Sequence, residues 1–227
     1  DARRHGIAIL SPDVNRSHSK CTIDGNSIRL GLLNVKSIGN TADTRIISER
    51  TKNGLYDSLG DFMERTRLKI EETENLINAG GFDIIAGHSN KRRPLLWEAG
   101  LRYMPSSNQL ALPVSIDKNT RGLPEINNIE KITSEYEALS FYPSGRIMEE
   151  LRPSLGDGLV TSKQLKNMKT YRKIRIAGLV ARPLQHPLAN AYFMTLEDEY
   201  GFIPLIIWNH IYDEYRNILR EPIIIID

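Results

Sequence analysis

The hydrophobic period of this sequence changes near Tyr171, and that change constrains the fold more than any other feature. Upstream of it, apolar residues recur at the spacing of α-helices, as in Thr41–Lys52 and Ile70–Ala79. Downstream, apolar and polar residues alternate, as in Lys173–Val180, which is typical of strands with one buried face. The sequence therefore predicts an α+β chain in which a helical region precedes a β domain.

The elements of the β domain are predicted in a particular order: three strands, a helix and a fourth strand. The segments are Lys173–Val180, Tyr192–Leu196, Phe202–Trp208, Ile211–Leu219 and Ile223–Ile226. This is the order of an OB-fold, a five-stranded barrel. The sequence has no fifth strand, and an open apolar edge at the last strand would be prone to aggregate. We therefore expect an incomplete barrel in a native chain that continues.

The hydrophobic pattern and the positions of Pro and Gly divide the chain into four predicted segments. Residues 1–34 are irregular and β-like, and residues 35–104 are helical. Residues 105–168 are rich at their start in Pro, Ser and Asn and are predicted to be a linker with short helices. Residues 169–227 form the predicted β domain.

The composition argues against several functional classes. No apolar run approaches the ~18 residues of a membrane span, so no membrane role is expected. The single cysteine, Cys21, fits a reducing compartment, and we expect a cytoplasmic protein. The five histidines lack ligand spacing, and Glu197–Glu199 is interpreted as a solvated turn, so no metal or cofactor is expected here. The net charge of +2 leaves any nucleic-acid claim to local clusters.

The strongest candidate site is Val35–Ala42, which has the pattern of a helix-hairpin-helix turn ahead of a helix. The backbone N–H groups of such a turn form a donor cluster that fits a phosphate oxygen. Gly39 is expected to adopt a positive φ and to let the backbone approach the phosphate closely. Contacts of this kind hold a duplex without recognising its sequence. An ordinary packing corner between helices would show the same pattern.

Further candidates lie in a second hairpin-like turn, Leu76–Asp83, in the basic run Lys91–Arg93, and in the β domain. The β domain offers Arg175, Arg182, Tyr192, Phe193 and Trp208. Basic and aromatic residues of OB-folds bind single strands, but alternation requires about half of these side chains to fill the core. The predicted DNA-binding residues are Lys36, Ser37, Ile38, Gly39, Asn40, Thr41, Gly80, Gly81, Lys91, Arg92, Arg93, Arg175 and Tyr192.

A short peptide in the linker has a glutamine followed by alternating apolar residues. Its sequence is Gln109, Leu110, Ala111, Leu112 and Pro113. An extended segment of this kind can dock in a groove on a protein partner. The alternative is that its apolar residues pack on their own domain.

Taken in order, these motifs resemble the catalytic alpha subunit of bacterial DNA polymerase III, a C-family DNA polymerase, and its error-prone branch in particular. The resemblance covers nearly the whole chain. The blocks that carry it are Gly6-Ile7, Ser11–Ser17, Ile28–Leu32, Val35–Gly39, Ser58–Phe62, Leu76–Asp83, Pro94–Ala99, Asn108–Pro113, Glu135–Leu139, Tyr142–Gly145, Ile174–Val180 and Phe193–Gly201.

The resemblance implies a template-directed polymerase that uses two Mg²⁺ ions held by palm aspartates. Those aspartates are not in this sequence, so the chain itself is expected to lack catalytic residues. The resemblance further implies that residues 1–34 end the fingers region, that tandem hairpins in 35–104 grip duplex DNA, and that the OB-fold lies near single-stranded template. It also implies docking of Gln109–Pro113 on the sliding clamp, with other polymerase subunits as partners.

The sequence departs from the family pattern at three places. Ser37 replaces a usual hairpin glycine, and Pro113 stands where a clamp peptide usually has a large apolar residue. Arg146-Ile147 replaces a usual His-Pro pair. The first departure bears on the tightness of the phosphate contact, and the second bears on the clamp contact.

Two other functions remain open from the sequence alone. The chain is compatible with a free-standing nucleic-acid-binding module without polymerase activity, and with a scaffold whose OB-like domain binds a protein. Retention on single- and double-stranded DNA, measured against salt, separates the scaffold from the other two.

Overall fold

The computed structural model describes residues 2–87, 91–103, 123–169, 172–188 and 191–226, with the backbone alone for residues 3, 4 and 182–188. The chain forms two compact units, Asp1–Ser144 and Gly145–Asp227. The first unit is mainly helical and the second contains an antiparallel sheet. The predicted α+β class is therefore confirmed.

The first unit begins with a small sheet and continues as a set of helices. The strands β1 (Ala8–Leu10), β2 (Thr22–Asp24) and β3 (Ser27–Arg29) lie in the order β1-β3-β2, with β1 parallel and β2 antiparallel to β3. The helices are α1 (Asn40–Asn53), α2 (Leu59–Thr66), α3 (Ile70–Asn78), α4 (Asp83–Ala86), α5 (Arg92–Arg102) and α6 (Asn128–Leu139). Single 3-10 turns lie at Ala2–His5 and Leu32–Asn34.

One apolar core joins the sheet of the first unit to its helices. The ring of Phe62 is fully buried and meets the rings of Tyr56 and Phe82 edge to face, each at a centroid distance of 4.9 Å. Val14 and Leu30, from the N-terminal region, belong to the same core. The N-terminal strands therefore share one core with the helices that follow them. Three short strands alone bury too little apolar surface to be stable.

The loop between β1 and β2 is fixed to the helices by polar contacts. Asn15 exchanges two hydrogen bonds of 2.8 Å with the backbone of Tyr56. Arg50 of α1 donates to the carbonyl oxygens of Val14 at 2.7 Å and Ser17 at 2.5 Å. This loop is one of the blocks that carry the family resemblance, and in the structure it holds the N-terminal sheet on the helices.

The second unit is built around four antiparallel strands. They are β4 (Ile176–Leu188), β5 (Ala191–Glu197), β6 (Phe202–Trp208) and β7 (Ile223–Ile226), in the order β6-β5-β4-β7. The helices are α7 (Ile147–Leu151), α8 (Ser162–Leu165) and α9 (Asn209–Tyr215), with 3-10 turns at Arg152–Ser154 and Ile218–Arg220. The core contains Ile176, Met194, Leu196, Ile203, Ile207, Leu219 and Ile224.

The sheet of the second unit is consistent with the predicted OB-fold. The long strand β4 pairs with β5 on one side and with β7 on the other, and α9 lies between β6 and β7 in the chain. The sequence predicted that this strand ends at Val180, but it continues to Leu188 with register shifts after Val180. Pro183 and Pro187 lie in that irregular part, where bulges tolerate residues that cannot donate to the ladder.

The second unit begins at Gly145, upstream of residue 169, where the sequence placed the start of the β domain. The N–H of Val160 donates to the carbonyl of Arg175 at 2.7 Å, and Ser162 of α8 bonds to Asp198 beyond β5. These contacts join residues before the sheet to the sheet itself. No helix among the residues that the structure describes is long and apolar enough to cross a membrane.

Candidate nucleic-acid interface

The turn before α1 is exposed, but one buried side chain and two backbone hydrogen bonds fix its position. Ile38 is 6% exposed and packs in the core of the first unit, and its N–H donates to the carbonyl of Val35 at 3.2 Å. The N–H of Lys36 donates to the carbonyl of Ala138 in α6 at 2.8 Å. Ile38 therefore positions the turn through its buried side chain, and that side chain cannot be a DNA contact.

The start of α1 presents a group of open backbone donors. The first bond of the helix runs from the N–H of Asp43 to the carbonyl of Gly39 at 3.0 Å. The N–H groups of Gly39, Asn40, Thr41 and Ala42 have no acceptor within the described residues, and no side chain caps the helix. Four such donors, with the positive end of the helix dipole behind them, suit an anion.

The one acidic side chain in the first turn of α1 does not occupy these donors. Asp43 is 4% exposed and its carboxylate accepts from the hydroxyl of Ser19 at 2.6 Å. It therefore faces the interior of the unit, and the outer side of the turn keeps its positive character.

A shallow, open depression of ≈ 510 Å³ adjoins the open donors along the exposed face of α1. It is lined by Asn40, Thr41, Thr44, Arg45 and Ser48. These are amide, hydroxyl and guanidinium groups, all of which contact phosphate oxygens and sugars in protein–DNA complexes. Of the five donors on Arg45, one reaches the carbonyl of Thr66 at 3.2 Å. Thr44 and Ser48 were not among the predicted site residues, although their spacing of three and seven residues from Thr41 places all three on one helix face.

The prediction that Gly39 adopts a positive φ is wrong. Its φ is −93° and its ψ is 177°, which is the extended conformation of an N-cap residue. Ser37 has the positive φ instead, at 66°. The position that departs from the family's glycine is thus the one where the turn requires a left-handed residue.

Two hydrogen bonds hold Ser37 in this conformation. Its hydroxyl donates to the carbonyl of Lys36 at 2.6 Å and accepts from the side-chain amide of Asn75 at 2.9 Å. A left-handed non-glycine residue costs of order 1 kcal/mol, which these contacts help to offset. The turn therefore keeps the hairpin shape without glycine at this position.

The second predicted hairpin does not present donors to the exterior. Gly80 has φ 91° and Gly81 is buried beside it, and the two N–H groups donate to the carbonyls of Ile77 at 3.0 Å and Leu76 at 2.8 Å. A Cβ on Gly80 would lie 2.7 Å from the guanidinium of Arg92. Internal packing thus requires these glycines, so the expectation that they contact DNA is corrected.

The basic run after α4 is mostly used inside the protein. Arg92 is 1% exposed and bonds bidentately to Asp83 at 2.6 and 3.0 Å, to the carbonyl of Asn78 at 2.9 Å and to Glu135 at 3.0 Å. The guanidinium group is buried in this network and cannot reach a phosphate. Arg92 is therefore not a DNA contact, contrary to the prediction.

Arg93 and Lys91, the neighbours of Arg92 in the chain, are not buried. Arg93 bonds to the carboxylate of Glu130 at 3.1 Å and to the carbonyl of Pro124 at 2.6 Å. Lys91 is exposed. The clamp-peptide candidates Gln109, Leu110, Ala111, Leu112 and Pro113 lie outside the described residues.

In the second unit, the structure separates the aromatic candidates by face. The ring of Tyr192 stacks on that of Tyr212 at 4.0 Å and packs against the core. Contrary to the prediction, Tyr192 therefore does not offer its ring to a single strand. Phe193 and Trp208 face outward, 42% and 56% exposed. Arg175 is exposed and contacts the carbonyl of Asp157 at 3.5 Å, and the side chain of Arg182 is not described.

The acidic run Glu197–Glu199 is structural, and the interpretation of it as a solvated turn is wrong for Asp198. Asp198 is 2% exposed and accepts from the hydroxyl of Ser162 at 2.7 Å and from the N–H groups of Tyr200 and Gly201 at 2.8 Å. Burial alone would raise the pKa of this carboxyl, but these hydrogen bonds and that from the Ser162 N–H lower its pKa below the ordinary value. The described residues contain no group of three His, Cys, Asp or Glu side chains placed to share a metal ion.

Comparison with known proteins supports the resemblance. A family model described as helix-hairpin-helix motif matches residues 6–93. The chain is 29% identical to an error-prone DNA polymerase of Nocardia farcinica over 97% of its length, and 30% identical to one of Mycolicibacterium paratuberculosis over 96%. It is 30% identical to a DNA polymerase III subunit alpha of Thermus aquaticus over 98%. The chain spans 20% of the length of each of these relatives.

Proposed function

This chain is a homologue, along almost its whole length, of part of the error-prone DNA polymerases and of the alpha subunit of DNA polymerase III, and we propose that it binds DNA for such a polymerase. In this proposal the first unit holds duplex DNA at the N-terminus of α1. The second unit holds single-stranded template on its sheet. The process served is template-directed DNA synthesis in the bacterial cytoplasm.

The observation that carries the proposal is the group of four open N–H donors at Gly39–Ala42. It lies within the region matched by the helix-hairpin-helix model, beside a depression lined by polar side chains. Backbone donors and hydroxyls hold the phosphates of a duplex without recognising its bases. Lys36, which is exposed next to the turn, would add one positive charge to this contact.

The single-strand part of the proposal rests on the outer face of β5 and β6. Phe202, Pro204, Ile206 and Trp208 alternate with buried residues along β6, and Phe193 lies opposite Ile206 on β5. Exposed rings on an OB-like sheet are a stacking platform for unpaired bases. The fold and the exposed rings support this part, and the binding itself is a proposal.

Polymerisation and the remaining partners belong to the proposal as well. The relatives are named as polymerases, and the resemblance implies a sliding clamp and other polymerase subunits as partners. Mg²⁺ is implied for the reaction, but the described side chains do not fit a shared metal site. No catalytic step is therefore assigned to the residues of this chain.

The experiment that tests the duplex site is a salt titration of binding to a short labelled duplex of two unrelated sequences. Both sequences should bind alike, and affinity should fall steeply with salt because binding releases counterions. Lys36→Ala should reduce the slope of log affinity against log salt by about one unit. Lys52→Ala, an exposed lysine in the last turn of α1, is the matched control. The site would be contradicted if Lys36→Ala and Lys52→Ala changed the slope equally, or if neither changed it.

A further inference from the structure

One stretch of the chain contains no acidic residue over 39 positions. All 28 Asp and Glu residues lie outside residues 158–196. The cations within that stretch are Lys163, Lys166, Lys169, Arg172, Lys173, Arg175 and Arg182. The net charge of the whole sequence is only +2 because the rest of the chain is net negative and offsets these seven cations.

The first six of these cations form what we call the basic segment, Lys163–Arg175. It begins in α8 and runs to the start of β4. The side chains of all six are exposed. In a chain whose other charged residues are mixed in sign, such a concentration creates a local positive field.

The basic segment is held at both ends. Near its start, the N–H and hydroxyl of Ser162 donate to the carboxylate of buried Asp198, at 2.5 and 2.7 Å. At its end, the carbonyl of Arg175 accepts from the N–H of Val160 at 2.7 Å. Each of the two described parts of the segment, 163–169 and 172–175, is therefore fixed at one end.

Two of the acidic residues that adjoin the segment are held in internal contacts. The carboxylate of Asp198 is buried and accepts four hydrogen bonds, and that of Glu199 pairs with Arg152 at 2.6 Å. Glu197 is half-buried, and Asp157 precedes the segment. Six exposed cations thus adjoin four carboxylates, one of which is paired with Arg152.

An exposed ring lies beside the first cation of the segment. The ammonium of Lys163 lies 5.4 Å from the centre of the ring of Tyr200, which is 54% exposed. Phe202 follows at the start of β6, and the exposed row of that strand ends at Trp208. Cations followed by a row of accessible apolar rings form the combination that binds unpaired nucleic acid, because a duplex does not expose its base faces.

We propose that the basic segment binds the phosphodiester backbone of a single strand whose bases lie on the exposed row from Tyr200 to Trp208. This inference rests on the single-strand part of the proposed function and is independent of the duplex contact at α1. It assigns the phosphate contacts to residues upstream of the sheet, and not to the strands themselves. An acidic protein segment is the competing ligand for such a surface.

The test is a pair of charge-matched variants of the whole chain. Lys166→Gln with Lys169→Gln removes two charges from the segment, and Arg216→Gln with Arg220→Gln removes two exposed charges elsewhere in the same unit. Binding of a labelled oligothymidylate is measured between low and moderate salt. The segment variant should reduce the slope of log affinity against log salt by about 1.4, since each contact to a single strand contributes about 0.7.

The control variant should keep the parent slope, and both variants should melt like the parent by circular dichroism. Equal slopes for the two variants would overturn the proposal. So would displacement of the oligonucleotide by polyglutamate at equal charge concentration, which would identify the surface as a site for acidic protein. Duplex affinity should change little in the segment variant, so a failure here is distinguishable from a failure of the duplex site.

A fluorescence measurement tests the base contacts separately. The chain has two tryptophans, Trp97 and Trp208, so Trp97→Phe leaves Trp208 as the single reporter. Stacking of thymine on its ring should quench its emission on addition of oligothymidylate, with the same midpoint as binding. Unchanged emission at saturation would show that the strand does not follow the exposed row.

Discussion

Replacement of Gly39 by Asp should separate the stability of the first unit from its affinity for duplex DNA. Gly39 is the N-cap of α1 in an extended conformation, and a Cβ there would meet nothing within 4 Å. An Asp side chain at an N-cap accepts the N–H of the second or third helical residue, here Thr41 or Ala42. The free energy of unfolding should therefore rise by about 0.5 kcal/mol from capping and the helix dipole.

The same carboxylate should oppose phosphate binding for two reasons. It occupies a backbone donor that the phosphate needs, and a lost hydrogen bond to a charged group costs roughly 1.5–3 kcal/mol. It also places a negative charge about 5 Å from the phosphate, which costs roughly 1–3 kcal/mol at effective dielectric constants between water and a protein surface. Together these predict a loss of at least about 2 kcal/mol, or about 30-fold in affinity.

The assay is fluorescence anisotropy with a short labelled duplex at fixed salt, with urea unfolding of the same preparations. Gly39→Asn is the matched control because it caps the helix in the same way without the charge, so its affinity should fall between those of the parent and the Asp variant. Gly39→Ala adds the Cβ alone. A Gly39→Asp chain that is folded and binds the duplex within about threefold of the parent would show that no phosphate lies at this turn, since about threefold is only about 0.65 kcal/mol.

Three further predictions follow from other parts of the chain. Arg92→Met should destabilise the first unit by about 3–5 kcal/mol, measured by urea unfolding, because it leaves the buried carboxylate of Glu135 without the cation that balances its charge. A loss below about 1 kcal/mol would contradict a buried ion pair at this position. Asp198→Asn should lower the unfolding midpoint of the second unit at pH 7 by replacing an acceptor of several N–H groups. The pKa of Asp198 is lowered in the folded state, so the carboxylate stabilises the fold above the ordinary aspartate pKa of about 3.9, and this stabilisation is lost as the pH falls below that value. The difference in midpoint between the variant and the parent should therefore be smaller at pH 2.5 than at pH 7. An equal difference at the two pH values would show that the charge of Asp198 does not stabilise the fold. Gln109→Ala with Leu112→Ala should weaken binding to the sliding clamp in a titration, and unchanged affinity would leave the peptide as a tether.

The sequence was sufficient for the elements whose pattern is local. The helical spacing of Thr41–Lys52 predicted α1 to within one residue at each end, and the strand-length apolar run Phe202–Trp208 predicted β6. Alternation alone could not assign Phe193 and Trp208 to a face of the sheet, because both faces of a strand show the same period. The burial of Ile203 and Ile207 in the core determines that Trp208 faces outward.

The errors concern interactions between residues distant in the chain. Arg92 looked like part of an exposed basic run because its partners Asp83 and Glu135 lie nine and 43 residues away. Gly39 was expected to supply the positive φ, but the turn places that conformation at Ser37, where Asn75 holds the hydroxyl from 38 residues away. In both cases tertiary contacts, which the local pattern does not contain, determine the conformation and the partners of the residue.

Contact between duplex phosphate and the open N–H groups of α1 can be followed through the amide resonances of those groups. An isotope-labelled chain is titrated with a short duplex, and the amide shifts of Gly39, Asn40, Thr41 and Ala42 are followed alongside those of Gly80 and Gly81. If these groups hold the phosphate, the four resonances at α1 shift together with one binding midpoint, while the resonances of the two buried glycines do not move. Saturating duplex that moves other amides and leaves those four unchanged would contradict this contact.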